Sequence, residues 1–294
     1  MKCEAMYEYR NEYGISKMCR ALGLYRSTYY YWEKRKERIE EQQEEKQNMV
    51  SKIKEIFDDN NQTYGYRRMQ LALLEDKDKI ELSTYKIRKM MREIGLYPVI
   101  AKKFKPYPNK KSDGRYNENL LQQKFNVEEP NKVWAGDITY IKTGIGWAYL
   151  SIVMDLFNRE IIGYSLSKSV DTDLVRRALG NAIHNKEDDK ELMFHSDRGC
   201  QYSSKSFGKM LNENGITGSM SRAGCPYDNS CVEGFFSVLK RECIYRRKYS
   251  TIDEVEQDLF KYIELFYNRK RMHSTLGYKS PVKYRMQYNE NKAA

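Results

Sequence analysis

KVWAGDITYIKTGIGWAYLSIVMDLFNREIIGYSLS (132–167) consists of three runs of β-branched and aromatic residues broken by TGIG and LFN. Runs of this composition between turn residues predict an antiparallel three-strand meander. Downstream the period changes. A helix is expected from the Asp171–Asp173 cap, with Leu174, Ala178 and Ile183 on one face, followed by the apolar strand ELMFHS (191–196) running into Asp197. Then come a helix capped by Ser203 or Ser204, a short strand TGSMS (217–221) and a helix carrying Glu233, with Asp228 as its N-cap. A meander passing into βα alternation predicts an α/β unit with helices on the faces of one mixed sheet. TIDEVEQDLFKYIELFYNR (251–269) opens with the Thr251/Glu254 capping box and continues as an amphipathic helix.

Upstream the pattern is helical. ISKMCRALGLYRSTYYYW (15–32) places Ile15, Met18, Cys19 and Leu22 on one face, turns at Gly23, and offers Ser27 and Thr28 as caps for a second short helix. This resembles a helix-turn-helix. Residues 33–48 are almost devoid of apolar side chains and read as a solvated helical linker. Three further helices follow in MVSKIKEIF (49–57), YGYRRMQLALLED (64–76) and STYKIRKMMREIGL (83–96), the last capped by Ser83.

Charge is distributed unevenly. The chain has 52 Lys+Arg against 41 Asp+Glu, a net of +11. Residues 1–110 carry +7, residues 111–233 carry −2 and residues 234–294 carry +6. A slightly acidic centre between basic arms suits a carboxylate site flanked by groups that neutralise phosphates. There is no apolar run long enough to cross a membrane and no leader pattern, so a soluble cytoplasmic protein is expected, with no membrane partner. The six cysteines form no CxxC pair and no zinc-ligand spacing, so reduced thiols are expected.

Three carboxylates stand out within that centre: Asp137 in VWAGDITY, Asp197 in FHSDRGCQYSS and Glu233 in PYDNSCVEGFFSVLKRE. Asp197 and Glu233 are separated by 35 residues. Carboxylates are natural ligands of hard divalent cations, and two cations about 3.5–4 Å apart clamp both oxygens of a phosphodiester displacement. Asp137 lies on a strand otherwise built of apolar residues, where a charge is costly without a partner. Lys240 is two helical turns beyond Glu233 on the same face. Asp155 and Asp228 are competing carboxylates, and His195 is a further candidate ligand on the Asp197 strand.

WAGDITY, DLFNREIIGYSLS, HSDRGCQYSS, SRAGCPYDNSCVEGFFSVLKRE and YNRKRMHSTLGYKSPVKY, in this order and with this spacing, resemble the second-frame transposases of the bacterial insertion-sequence-three family. The resemblance covers essentially the whole chain. It implies an RNase H-like integrase catalytic core, a mixed five-stranded sheet flanked by helices, preceded by a small all-α helix-turn-helix-like DNA-binding region. The implied organisation is a helix-turn-helix-like segment and charged linker (1–48), a helical DNA-binding region (49–105), a basic linker (106–130) and the core with a basic C-terminal helix and tail (131–294).

The resemblance further implies that Asp137, Asp197 and Glu233 ligate two Mg²⁺ or Mn²⁺ ions and that Lys240 contacts DNA near the cut. Water would cleave at the element end, and the exposed 3′-hydroxyl would attack a second phosphodiester. Arg198, Arg269, Lys270, Arg271 and His273 are the further expected DNA contacts. Element ends and target DNA are the expected partners, with a homo-oligomer on DNA and a protein from an upstream frame. Two alternatives stand beside this reading: a structure-specific metal-dependent nuclease, and a domesticated DNA-binding protein with an inert core.

Overall fold

A computed structural model describes residues 1–99, 116–184, 186 and 191–293. The chain divides into two units, Met1–Asp59 with Tyr64–Tyr97, and Asn60–Thr63 with Pro98–Ala294.

The first unit is all helical: α1 (Lys2–Glu8), α2 (Ile15–Leu22), α3 (Arg26–Asp59), α4 (Tyr66–Glu75) and α5 (Thr84–Glu93). Gly23 closes α2 at φ 64°, the left-handed conformation that glycine adopts without a Cβ penalty. Met6, Cys19 and Tyr29 form a small core there, with Ile15, Met18 and Leu24 packed against it. Ser83 caps α5 as expected, its side chain accepting from Lys86 N at 3.3 Å.

The largest departure is α3. The expected short second helix, the charged linker and the helix beginning at Met49 are one continuous 34-residue helix, so the boundary at 48/49 falls inside it. Ser27 and Thr28 lie in its first turn, where the Tyr25 carbonyl accepts from Thr28 N and Tyr29 N, and neither begins a separate element. No glycine or proline interrupts residues 26–59, and pairs such as Lys36–Glu40 at 3.7 Å lie along the exposed middle. Helix propensity therefore carries the backbone where packing does not.

The second unit contains β1 (Val133–Thr143), β2 (Gly146–Asp155), β3 (Ile161–Ser167), α6 (Thr172–His184), β4 (Leu192–Ser196), α7 (Lys205–Glu213), β5 (Ile216–Met220), α8 (Ser230–Glu242), α9 (Ile252–Phe260) and α10 (Pro281–Ala293). The sheet has five strands in the order β3-β2-β1-β4-β5. The first three are antiparallel, and β4 and β5 run parallel to β1. The expected caps act at Asp171, which accepts from Leu174 N at 2.9 Å, and at Ser204, which accepts from Phe207 N at 3.2 Å.

Alternation along the strands builds two cores. On one face Trp134, Val153 and Phe194 pack with Val175, Leu179, Phe207 and Leu211. On the other, Ala135, Leu150, Ile152 and Met154 pack with Val232, Phe235, Leu239, Leu259 and Ile263. Burying a large apolar side chain of this kind contributes about 1.5–3 kcal/mol. Regular α9 ends at Phe260, and the expected longer helix continues as a π-helical segment over Lys261–Tyr267, which turns Tyr262, Ile263, Phe266 and Tyr267 into the core.

The expected linker 106–130 belongs to the core from residue 116 onward, and its residues 106–115 lie outside the described residues. Leu121 is buried, and Phe125 and Val127 pack against the same core. Backbone N–H groups of Leu120 and Leu121 donate to Ser219 Oγ at 3.0 and 3.4 Å. These contacts span about a hundred residues of sequence, so no local period announces them.

Candidate active site

Strand register brings the first two carboxylates side by side. β4 pairs with β1 only over Val133–Ala135, with Ala135 opposite His195. In a parallel pair, the positions two residues further on are again neighbours, with strands about 4.8 Å apart. Those positions are Asp137 and Asp197, and β4 ends at Ser196. Asp137 thus sits beside a strand end, where α/β sheets leave room for ligands.

Helix α8 brings the third. Its preceding residue Asn229 donates from Nδ2 to Gly136 O at 3.2 Å, anchoring the helix start to β1 next to Asp137. Val232, Phe235, Phe236 and Leu239 bury the inner stripe, and Glu233 follows in the first turn. Lys240 in the last turn places its Nζ 4.7 Å over the Tyr140 ring.

Electrostatics ties these side chains together. Asp137 is pushed well above the usual carboxylate range by burial, then by the charges of Asp197 and Glu233, with the Ile138 N–H and Lys240 opposing. Asp197 is raised by burial, against an N–H donated by Gly199 to Oδ1 at 2.9 Å. A Cβ at Gly199 would stand 2.9 Å from that oxygen, so glycine keeps the turn closed on the carboxylate. Glu233 is raised by burial and by Asp197. Burial lowers Lys240, and Asp137 works against the shift.

Three mutually repelling carboxylates form a donor set suited to hard divalent cations, which take oxygen ligands. Asn229 Oδ1, buried without a hydrogen-bond partner beside Gly136, is a further oxygen at the same place. The residues therefore fit a divalent ion. Among the described residues no three His, Cys, Asp or Glu side chains converge tightly enough to hold one ion as they stand. Asp137, Asp197 and Glu233 share a field rather than a single point.

The competing groups are occupied elsewhere. Asp155 is buried and accepts from Asn131 N and Phe157 N, both at 2.9 Å. Asp228 does not cap α8. It lies in the preceding 3-10 turn Pro226–Asn229, where Arg222, Asn119, Gln123 and Cys225 donate to it, and Arg222 above all holds its pKa well below the usual carboxylate range. His195 is buried with Nδ1 2.9 Å from Ser219 Oγ and Nε2 3.2 Å from Ser221 Oγ, which leaves neither ring nitrogen for a metal. Burial brings its pKa down to about 4.

The expected DNA contacts separate into two groups. Arg269 and Lys270 are exposed. Arg271 is buried, donating from Nε and NH2 to Glu242 at 2.8 Å each, so it cannot reach a phosphate. His273 is half-buried, with its ring centroid 4.9 Å from that of Tyr267. Arg198 donates from Nε to Ser221 O at 2.8 Å and lies 4.7 Å from the Tyr116 ring. Sequence reasoning passed over Asn229 and Tyr202. The latter is fully buried, and after burial itself the Asp137 and Asp197 charges make its hydroxyl still less acidic. An asparagine at a helix start beside the third carboxylate was the available signal for the first of them.

Two stretches match family models described as integrase core domain, residues 127–226 and 233–288, and residues 42–104 match one described as HTH-like domain. The transposase InsF of insertion sequence IS3A from Escherichia coli strain K12 is 36% identical over 284 residues, which is 97% of this chain and 98% of that protein. The chain belongs to the IS3 family of transposases. This transposase is also similar to that of insertion sequence element IS904 from Lactococcus lactis, at 40% identity over 238 residues, 81% of this chain and 93% of that one. Among solved structures, a chain of the simian T-cell lymphotropic virus intasome in complex with PP2A regulatory subunit B56 gamma superposes with a TM-score of 0.45 at 18% identity, covering 74% of the transposase and 70% of that chain. The transposase is a polynucleotidyl transferase with an integrase-type core. No helix among the described residues is long and apolar enough to cross a membrane.

Proposed function

We propose that the transposase cuts DNA at the ends of its insertion sequence and joins the freed 3′-hydroxyl to target DNA, with Asp137, Asp197 and Glu233 as the catalytic carboxylates. The observation that carries this reading is the repulsion centred on Asp137. Asp197 and Glu233 both raise its pKa, and Lys240 opposes them. A fold gains nothing from holding like charges together unless a ligand uses them.

The three carboxylates would hold two Mg²⁺ or Mn²⁺ ions, which supply Lewis-acid polarisation of the phosphodiester and activation of the attacking hydroxyl. Lys240 would place its ammonium beside the reacting phosphate; burial lowers its pKa, and the Asp137 charge opposes that shift. Gly199 orients Asp197 through its N–H, and Asn229 fixes the helix that carries Glu233. Arg198, Arg269 and Lys270 are the proposed contacts to element-end and target DNA. Arg271 and His273 act on the core instead. A homo-oligomer on DNA, joined by a protein from an upstream frame, is the proposed assembly, because one chain carries one such site and an insertion has two ends.

The test is a strand-transfer assay with purified transposase, Mg²⁺ or Mn²⁺, and labelled duplexes bearing the DNA that flanks its gene, run beside Glu233→Gln. Metal-dependent joined products lost in the variant are expected. Joining that survives in Glu233→Gln rejects the triad, and cleavage without joining makes the protein a nuclease.

A further inference from the structure

The hairpin between β1 and β2 has two unlike faces. Ile141, Ala148 and Leu150 are buried beneath it. On the alternate positions Tyr140 is 43% exposed, Trp147 is 49% exposed, and Ile145 at the turn is 70% exposed. Lys142 is exposed too, and pairs across the strands with Trp147, while Tyr140 pairs with Tyr149. Tyr140 and Trp147 are therefore diagonal neighbours, and their rings meet edge to face with centroids 5.2 Å apart at 82°.

Two further segments converge on this hairpin. The turn is held by Gly144 N donating to Tyr249 O at 2.8 Å, which ties it to the chain that follows α8. Tyr245 in that segment is 65% exposed, and burial first, then the charge of the Tyr140 hydroxyl, makes its own hydroxyl less acidic. Lys240 reaches the same group from α8, its Nζ over the Tyr140 ring, while also acting on the Asp137 carboxylate. The rings are thus continuous with the proposed catalytic carboxylates through one ammonium group.

Single exposed apolar residues on a surface are ordinary. Aromatic side chains from β1, β2 and the segment after α8, with Lys142 and Lys240 among them, are the arrangement that receives nucleic-acid bases. Every base has a π-face, so such stacking tolerates any sequence, and the lysines hold the adjoining phosphates. Where terminal pairs open at a DNA end being processed, stacking of the displaced base offsets the cost of opening.

We propose that Tyr140, Trp147 and Tyr245 form a stacking platform for an unpaired base at the DNA end being processed. The inference rests on the DNA-joining function proposed above and adds the single-stranded character of the ligand. The platform is distinct from the carboxylates and binds without them reacting.

The test measures stacking apart from chemistry. Full-length transposase without divalent metal is titrated into a single strand, and into a duplex with a frayed end, each carrying a fluorescent adenine analogue whose emission falls on stacking. Wild type is expected to quench the analogue and to bind the frayed end more tightly than the fully paired one. Trp147→Ala and Tyr140→Ala are expected to lose the quench and to weaken single-strand binding by about tenfold. Trp147→Phe, which keeps a ring, is expected to retain most of both. The salt dependence of binding stays unchanged in all three variants, because no charge is altered. Quenching and affinity that are the same in Trp147→Ala, Tyr140→Ala and wild type overturn the platform. Joining that persists in Glu233→Gln rejects the triad and leaves the platform standing if the Trp147 and Tyr140 variants behave as expected.

Discussion

The Glu242 carboxylate and the Arg271 guanidinium face each other through two 2.8 Å hydrogen bonds, Nε to Oε2 and NH2 to Oε1, with both side chains buried. The Tyr262 hydroxyl donates to the same Oε2 at 2.8 Å. Glu242 ends α8, the helix of Glu233 and Lys240, so this pair fastens the chain beyond α9 to the helix that carries two proposed site residues. Removing one partner of a buried ion pair strands the other charge, at a cost of about 3–5 kcal/mol. Arg271→Ala is therefore expected to lower the denaturation midpoint sharply, whereas the double change of Glu242 and Arg271 to methionine costs far less. An unchanged midpoint in Arg271→Ala would show that the pair does not hold the fold.

Asp155 makes stability depend on pH in a definite direction. Burial raises its folded pKa to about 6, while in the unfolded chain it is about 3.9. The folded state binds the proton more tightly, so this group favours folding most at low pH. That contribution is lost as pH rises through about 6, a change of about 3 kcal/mol. His195, held neutral by burial, slopes the opposite way over an overlapping range. The expected result is thus read as a difference: stability of wild type minus Asp155→Asn falls between about pH 4 and pH 6. A flat difference across that window contradicts the assignment.

Gly163 lets β3 lie directly against α6. A Cβ there would stand 2.9 Å from the Ala182 Cβ and 2.7 Å from Ala182 N, and it would also strike the Ala178 carbonyl. Two of these atoms are helix backbone, which cannot rotate aside. Gly163→Ala is expected to destabilise the core by about 1–3 kcal/mol through overpacking. Thermal unfolding measures it, and a melting temperature equal to that of wild type would mean that the two elements separate easily.

The continuity of α3 predicts a response that a linker would not give. Gln43 lies in its exposed middle, far from both ends. Proline at a helix interior removes a hydrogen bond and clashes with the preceding turn, costing about 3 kcal/mol. Gln43→Pro is expected to reduce the helical circular-dichroism signal, and an unaltered spectrum would return residues 33–48 to a linker.

Much of this protein was legible in the chain because the deciding signals are local. Period-two runs set β1 to β3, polar caps at Ser83, Asp171 and Ser204 set helix starts, and Asp197 stands at the end of an apolar strand. The family motifs carried the choice of Asp137, Asp197 and Glu233, and register supplied the reason for the first two: Ala135 opposite His195 makes the positions beyond them neighbours. Other features depend on partners remote in sequence. Arg271 looked like one more basic residue of a DNA-gripping tail, and only Glu242, 29 positions earlier, turns it inward. Asp228 looked like a helix cap until Asn119 and Gln123, more than a hundred residues upstream, arrived to bind it. Residues 116–130 looked like linker because their order comes from Ser219 and Asp228 rather than from any period of their own. By itself the sequence determined which residues alternate, cap and carry charge, because those properties act over one turn or one strand. Which of the charged residues face DNA and which are consumed in the core was decided by the tertiary structure, because burial and pairing depend on what the rest of the chain places beside them.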